Sequence, residues 1–442
     1  MEESSFRTPV RLEGRFVELV PLSVEHVPEL TWALRNPEVT RLFREPPGST
    51  VDQVEGAVRG LLAQQAAGSD LSFATVLRAS GRAIGMTRFL RIDRRSDAVE
   101  IGGTFLDSEY WRTPVNTEAK FLMLRHAFET ERAHRVQIQT DLRNVRSQKA
   151  IERLGAVPEA RLREEVQLPD GHFRTSVYYS ILETEWPNVK TRLERFLARP
   201  WTPPPSTAGP PVLPPRTGAP TGATDREGPK RRPPRRFDSQ TEMRGTWVRL
   251  VPLERTLLPG LIEAGADPEI WSYMRIRHGD TPEEMSALVE ELLDGRARGE
   301  VAPYVIRAGV PERTVGIIRY LDIAREDQWV EVGTWLQRSV WRTPVNTEAK
   351  FLMLRNAFEN EGVHRVQLKT DLRNTRSQEA LVRLGAVPEG LMRDHYKFSW
   401  GGYRTSLYYS ILESEWPGVR ERLRRQLERR FTGALAPLAA PA

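Results

Sequence analysis

Alternation of apolar and polar residues predicts a strand at residues 15–20, RFVELV, closed by Pro21. The pattern returns at 246–251, TWVRLV, ahead of Pro252. Helical spacing follows in both places, with a helix near 51–66 and a counterpart at 282–298. Strands are predicted at 73–78 and 304–307, and again at 83–92 and 314–323. Next come VEIGGTF at 99–105 and VEVGTW at 330–335. The stretch WRTPVNTEAKFLMLR at 111–125 is repeated letter for letter at 341–355. Apolar residues wrap most of this segment, as in a helix packed on a sheet. A strand at 134–140 is matched at 364–370, and a helix carrying Ser147 stops at Leu154-Gly155. A hairpin closes each half, with return strands at 177–182 and 407–412, then Glu-Trp-Pro and a basic amphipathic helix.

The repeat fixes two domains, and one domain explained twice accounts for the chain. The expected organisation is a first domain at 1–199, a linker at 200–240, a second domain at 241–432 and a tail at 433–442. One difference stands out. Glu100 precedes Trp111 by one residue more than Glu331 precedes Trp341. An extra residue at Gly102-Gly103 suits a β-bulge, which the second half would lack.

The repeated stretch opens as a loop feeding a helix. Thr113 is a natural N-cap and Pro114 fits the first helical position. Glu118 complements the positive end of the helix dipole. Free amides at Val115, Asn116 and Thr117 would make an anion site, with Arg112 adding a charge-assisted contact to phosphate. On spacing alone a capped core helix with a surface arginine is the commoner meaning of the same letters.

Composition narrows the function. A chain of 442 residues without cysteine has no disulfide, thiol nucleophile or cysteine-ligated metal. The net charge of +6 is concentrated: residues 200–236 hold seven Lys or Arg against two acids. That proline-rich segment suits an extended spacer or a PxxP ligand, and it is the one hint of nucleic acid. No apolar run reaches the roughly 18–20 residues of a membrane span, and the first residues lack a signal-peptide pattern. A cytoplasmic protein is expected.

Taken together, VEIG, W-R-T-x-x-N-T-E-A, HRVQ, N-x-R-S, R-L-G-A, YYSILE and EWP resemble the GNAT acetyltransferase family. The closest likeness is to the branch containing ribosomal-protein N-terminal acetyltransferases. The resemblance spans nearly all of both halves. It implies an α/β fold of mixed, mostly antiparallel sheet with splayed central strands and flanking helices, in two tandem copies. It implies acetyl-CoA as donor and no metal. Pantetheine would lie between residues 100–105 and 135–140, or 331–335 and 365–370. Pyrophosphate would rest on Arg112, Thr113, Val115, Asn116 and Thr117, or on Arg342, Thr343, Val345, Asn346 and Thr347. Asn144 and Ser147, with Asn374 and Ser377, match the motif near the thiol. Two departures are visible: Trp111, Pro114 and Asn116 replace the family's usual Q/R-x-x-G-x-G/A positions, and Ile151 and Leu381 stand where many relatives have a tyrosine acid.

The implied chemistry is attack of an uncharged amine on the thioester in a ternary complex. Glu100 and Glu331 are the candidate bases, or else exposed carboxylates at strand starts. Ser147 and Ser377 are candidate proton donors to the thiolate, or else ordinary helix serines. His395 has no counterpart, since Glu165 takes its place. The acceptor would be a protein N-terminus or a small-molecule amine. An alternative is an acyl-CoA-binding sensor or scaffold with one or both halves inactive. The halves could also form an intramolecular pseudo-dimer. Segments 39–50 and 164–172 differ most from their counterparts, so different acceptors, or one active and one structural half, are expected.

Overall fold

The computed structural model describes residues 6, 8–203, 237, 240–275, 279–428 and 436–438. The linker at 204–236 and most of the tail lie outside the described residues. The chain separates into two compact units, one built largely from each half of the sequence.

In the first unit, β1 (Leu12–Glu13) and β2 (Val17–Pro21) precede α1 (Val27–Ala33) and α2 (Val51–Ala66). Thr50 caps α2 by accepting from the Gln53 amide. Strands β3 (Leu71–Leu77), β4 (Arg82–Asp93) and β5 (Ala98–Leu106) follow, then α3 (Val115–Arg125). After β6 (Arg135–Asp141) come α4 (Val145–Leu154), β7 (Val157–Gln167), β8 (Phe173–Leu182) and α5 (Trp186–Leu197). The strand order is β1-β2-β3-β4-β5-β6-β8-β7. Pairing is antiparallel from β1 through β5 and between β6 and β8. Among these described pairs only β5 and β6 run parallel, because α3 carries the chain back across the sheet between them.

The second unit repeats this: β9 (Met243–Arg244), β10 (Val248–Pro252), α6 (Leu258–Gly265), α7 (Pro282–Ala297), β11 (Ala302–Ala308), β12 (Arg313–Ala324) and β13 (Trp329–Leu336). It continues with α8 (Val345–Arg355), β14 (Arg365–Asp371), α9 (Thr375–Leu384), β15 (Val387–Lys397), β16 (Tyr403–Leu412) and α10 (Trp416–Glu428). The lone parallel pair is again the central one, β13 with β14.

Alternation along each strand divides the apolar residues between two cores, one on each face of the sheet. In the first unit, Phe73, Ile101 and Val136 pack with Leu122 and Met123 of α3 and Trp186 of α5. On the other face, Ala74, Met86 and Phe105 meet Leu30 of α1 and Val54 of α2. The sheet is therefore filled from both sides, apart from the place where its central strands part.

The predicted bulge is present. Opposite Met86 and Arg88 on β4, the partners on β5 are Phe105 and Gly102, so one extra residue is inserted. Gly103 adopts φ 56°, a left-handed conformation that glycine tolerates. In the second unit β12 and β13 stay in continuous register from Gly316 through Leu321. Among the described residues no helix is long and apolar enough to cross a membrane.

Candidate active site

The central strands hydrogen-bond for only three residue pairs. In the first unit the register is Ala98 with Arg135, Val99 with Val136 and Glu100 with Gln137. Beyond Glu100, β5 runs on to Leu106 and β6 to Asp141 without pairing to each other. The second unit does the same after Glu331 and Gln367. Each unit thus opens a wedge whose strands carry backbone groups with no partner across the gap.

The loop after β5 is fixed at several points. Trp111 Nε1 donates to the Leu106 carbonyl at 3.1 Å, and Thr113 Oγ1 donates to the Tyr110 carbonyl at 2.7 Å. Arg112 lies between them at φ 64°, and Arg342 at φ 62°. The second loop repeats both bonds, at 2.9 and 2.6 Å. The cap differs from expectation by one residue. Pro114, not Thr113, is the N-cap, because the Thr113 hydroxyl is spent on Tyr110 and meets the Val115 amide only at 3.4 Å. That weak contact also means the Val115 amide is not wholly free. Asn116 and Thr117 remain among the first-turn amides that a helix leaves unsatisfied. The Val115 and Val345 side chains are fully buried, so only their backbone could meet a ligand.

Asn144 caps α4 through Oδ1, which accepts from the Ser147 amide at 3.1 Å; Asn374 and Ser377 repeat this at 3.0 Å. The Asn-x-x-Ser spacing therefore has a local cause, an N-cap. The two serine hydroxyls make no hydrogen bond among the described residues. In the second unit a cleft brings Arg342, Thr343, Asn346, Thr347, Asn374 and Ser377 together. Neither Val345 nor Glu331 lines it.

Both candidate bases are buried, which removes the reading of exposed strand-start carboxylates. Their surroundings differ. Glu100 accepts from Gln137 at 2.9 Å, Gln139 at 3.0 Å and Arg91 at 3.2 Å. Glu331 accepts from Gln367 at 3.1 Å and pairs with Lys369 at 2.6 Å. Asp322 and Lys369 thus occupy the places of Arg91 and Gln139. Burial pushes the Glu331 carboxyl up against the pull of Lys369. Burial also opposes the Lys369 ammonium, but Glu331, Tyr396, Tyr408 and Asp322 outweigh it and hold its pKa well above the ordinary value. His395 stacks on Tyr396, with ring centres 3.8 Å apart, and meets Tyr408 OH at 3.4 Å.

Sequence reasoning passed over several residues of this region. Arg146 lies 3.4 Å over the Trp111 ring and Arg376 3.3 Å over Trp341. Burial lowers both guanidinium pKa values, and the nearby charges of Arg112 and Arg342 act in the same sense. The signal was available, since each arginine belongs to N-x-R-S and each tryptophan opens the repeated stretch. Lys120 and Lys350 were hidden inside an apolar helix face. Burial pushes them down to about 7 and about 8.

Comparison with known proteins identifies this architecture. Residues 17–157 and 248–387 match the acetyltransferase (GNAT) domain family. The chain belongs to the GNAT family. The uncharacterized N-acetyltransferase p20 of Bacillus licheniformis is 25% identical over 159 residues, covering 36% of this chain and 88% of that protein. The "Putative ribosomal N-acetyltransferase YdaF" of Bacillus subtilis strain 168 is 29% identical over 105 residues, 24% of this chain and 57% of that protein. Among solved structures, a "putative acetyltransferase from T. thermophilus" is 42% identical, covers 43% of this chain and 98% of its own, and has a TM-score of 0.40. GNAT acetyltransferases use acetyl-CoA, and this chain is an N-acetyltransferase of that family with the family's domain in each half.

Proposed function

We propose that each half binds acetyl-CoA in the wedge between its two central strands and passes the acetyl group to a primary amine. The observation that carries this is the early end of β5–β6 and β13–β14 pairing. Unpaired strand groups can accept the pantetheine amides, much as an added strand would. The residues present suit the phosphates: first-turn amides of α3 and α8, with Arg112 or Arg342 beside them. The acceptor is a protein N-terminus or a small-molecule amine.

In this mechanism the amine lone pair attacks the thioester carbonyl carbon and forms the C–N bond. A strand amide stabilises the oxyanion. The amine proton goes to Glu100 or Glu331 and on to solvent, the C–S bond breaks, and the departing thiolate takes a proton from Ser147 or Ser377, whose hydroxyl is reprotonated from water. Calorimetric titration with acetyl-CoA tests the donor sites. Two sites per chain are expected, with Arg112→Ala weakening one and Arg342→Ala the other. Failure of the wild-type protein to bind acetyl-CoA would refute the proposal.

One observation favours a second reading for the second half, in which it holds acyl-CoA without transferring it. The Glu331 carboxylate is tied to Lys369 at 2.6 Å, where Glu100 meets only neutral amides and a half-exposed arginine. In that case Glu331→Gln leaves the transfer rate unchanged while Glu100→Gln lowers it.

A further inference from the structure

The same lysine follows the loop in each half, Lys120 in α3 and Lys350 in α8, but the wall around it differs. Lys120 Nζ donates to Thr87 Oγ1 at 2.8 Å and to Thr104 Oγ1 at 2.5 Å, and these hydroxyls lie 2.8 Å apart. All three groups are satisfied within the first unit, Thr87 also reaching Met123 Sδ at 3.4 Å and Thr104 the Gly102 carbonyl at 3.3 Å. In the second half Ile318 stands in the place of Thr87 and offers nothing to bond. Lys350 turns instead to Asn346 Oδ1 at 2.5 Å and lines the cleft. Thr334, the counterpart of Thr104, keeps its hydroxyl buried without a hydrogen-bond partner on the same cleft wall. Phe105 is replaced by Trp335, which is 6% exposed; its indole N–H is also buried without a partner, and it too lines the cleft.

Each buried polar group left unpaired is costly to the fold, and the cost is recovered when a ligand supplies the missing partner. An ammonium, a hydroxyl and an indole N–H all donate, so the partner must present acceptor oxygens. Acetyl-CoA presents them as phosphate oxygens and pantetheine carbonyls. We propose that Lys350, Thr334 and Trp335 are donor-binding groups of the second half, whereas their first-half equivalents Lys120 and Thr104 are bonded to each other and Phe105 has no side-chain N–H to offer, so that the second half holds acetyl-CoA more tightly. This rests on the reading of the cleft as an acetyl-CoA site. The charged groups that share the cleft with Lys350 are Arg342 from the loop and Arg376 and Arg383 from α9; Thr334 and Trp335 line it from the sheet, and no carboxylate is among the cleft-lining residues. With the lysine pushed down to about 8, an incoming anion draws a proton onto it in mildly alkaline solution.

The test is calorimetric titration of the full chain with acetyl-CoA. Trp335→Phe and Ile318→Thr copy residues that the first half already accommodates, so folding is preserved, and thermal unfolding run in parallel checks it. Each is expected to weaken the tighter site by about tenfold, the equivalent of one hydrogen bond, and to leave the weaker site alone. Lys350→Met does the same, whereas Lys120→Met leaves both affinities unchanged. At pH 8.5, titrations in two buffers of different ionisation enthalpy should show proton uptake that Lys350→Met abolishes. Two sites indifferent to Trp335→Phe and Ile318→Thr would overturn the inference and leave the donor reading standing. A wild-type chain that binds no acetyl-CoA would overturn both.

Discussion

Glu118 sits in the first turn of α3, and its carboxylate accepts backbone N–H groups from Arg15 at 2.8 Å, Phe16 at 2.6 Å and Val17 at 2.7 Å. Glu348 holds Thr246, Trp247 and Val248 in the same way. The helix dipole suggested by sequence is a minor part of its role; the carboxylate latches the site helix to the start of β2. Glu118→Ala strips three amides of their acceptor and should cost about 3 kcal/mol or more, read as a drop in urea midpoint. Lys120 supplies a pH signature at the same scale. Its pKa is lowered from 10.5 to about 7 in the folded state by burial. Below pH 7 both states carry the proton and the burial penalty is full. Between pH 7 and 10.5 the unfolded state binds more protons, so stability rises with pH, at most about 1.4 kcal/mol per unit. The melting temperature of the wild-type protein minus that of Lys120→Met should therefore climb across this window. A flat difference would show that Lys120 is not buried as a neutral amine.

At the level of elements, periodicity alone located the strands and helices, because each apolar stripe faces a core and each strand alternates. The bulge at Gly102-Gly103 was legible as a one-residue mismatch between two copies of one pattern. The start of α3 was misplaced by one residue because a threonine hydroxyl can serve a preceding carbonyl as readily as a following amide, and no sequence pattern decides between them. The charge exchange at the wedge was invisible for a different reason. Arg91 and Gln139 lie 48 positions apart along the chain, and only the pairing of β4, β5 and β6 brings both to Glu100. Close approach of β4 to β5 is a further feature of the elements. A Cβ on Gly85 would lie 2.2 Å from the Phe105 carbonyl oxygen, and one on Gly316 would lie 2.2 Å from that of Trp335. Both carbonyls belong to β5 or β13, the strands that border the wedge on their other edge. Gly85→Ala and Gly316→Ala should each destabilise by about 2–3 kcal/mol and weaken acetyl-CoA binding in their own half only. Unfolding curves and calorimetry on the full chain check the two effects together.

Across the whole molecule, duplication preserved the loop before α3 and α8 letter for letter and altered much of what surrounds it. The loop, the helix start and the Asn-x-x-Ser cap are shared by both units. On the proposed acceptor side of the second unit, Tyr273 and Arg275 are tied to the β15–β16 hairpin: Arg404 donates to the Tyr273 carbonyl at 3.3 Å, and the Ser399 amide to the Arg275 carbonyl at 3.2 Å. The Arg275 guanidinium lies 4.8 Å over Tyr396, and Phe398 stacks on Trp400 at 4.6 Å. The first half carries Val166, Leu168 and Asp170 where the second has Tyr396, Phe398 and Trp400. Flat aromatic walls favour ring-bearing or cationic amines, through stacking and cation–π contact, and aliphatic ones do not. With Arg342→Ala silencing one half and Arg112→Ala the other, a panel of primary amines and free-N-terminus peptides should be acetylated in different rank orders. The second half should favour the aromatic members. Identical rank orders would mean that the hairpin does not select the acceptor, and that the divergence of these segments has another cause.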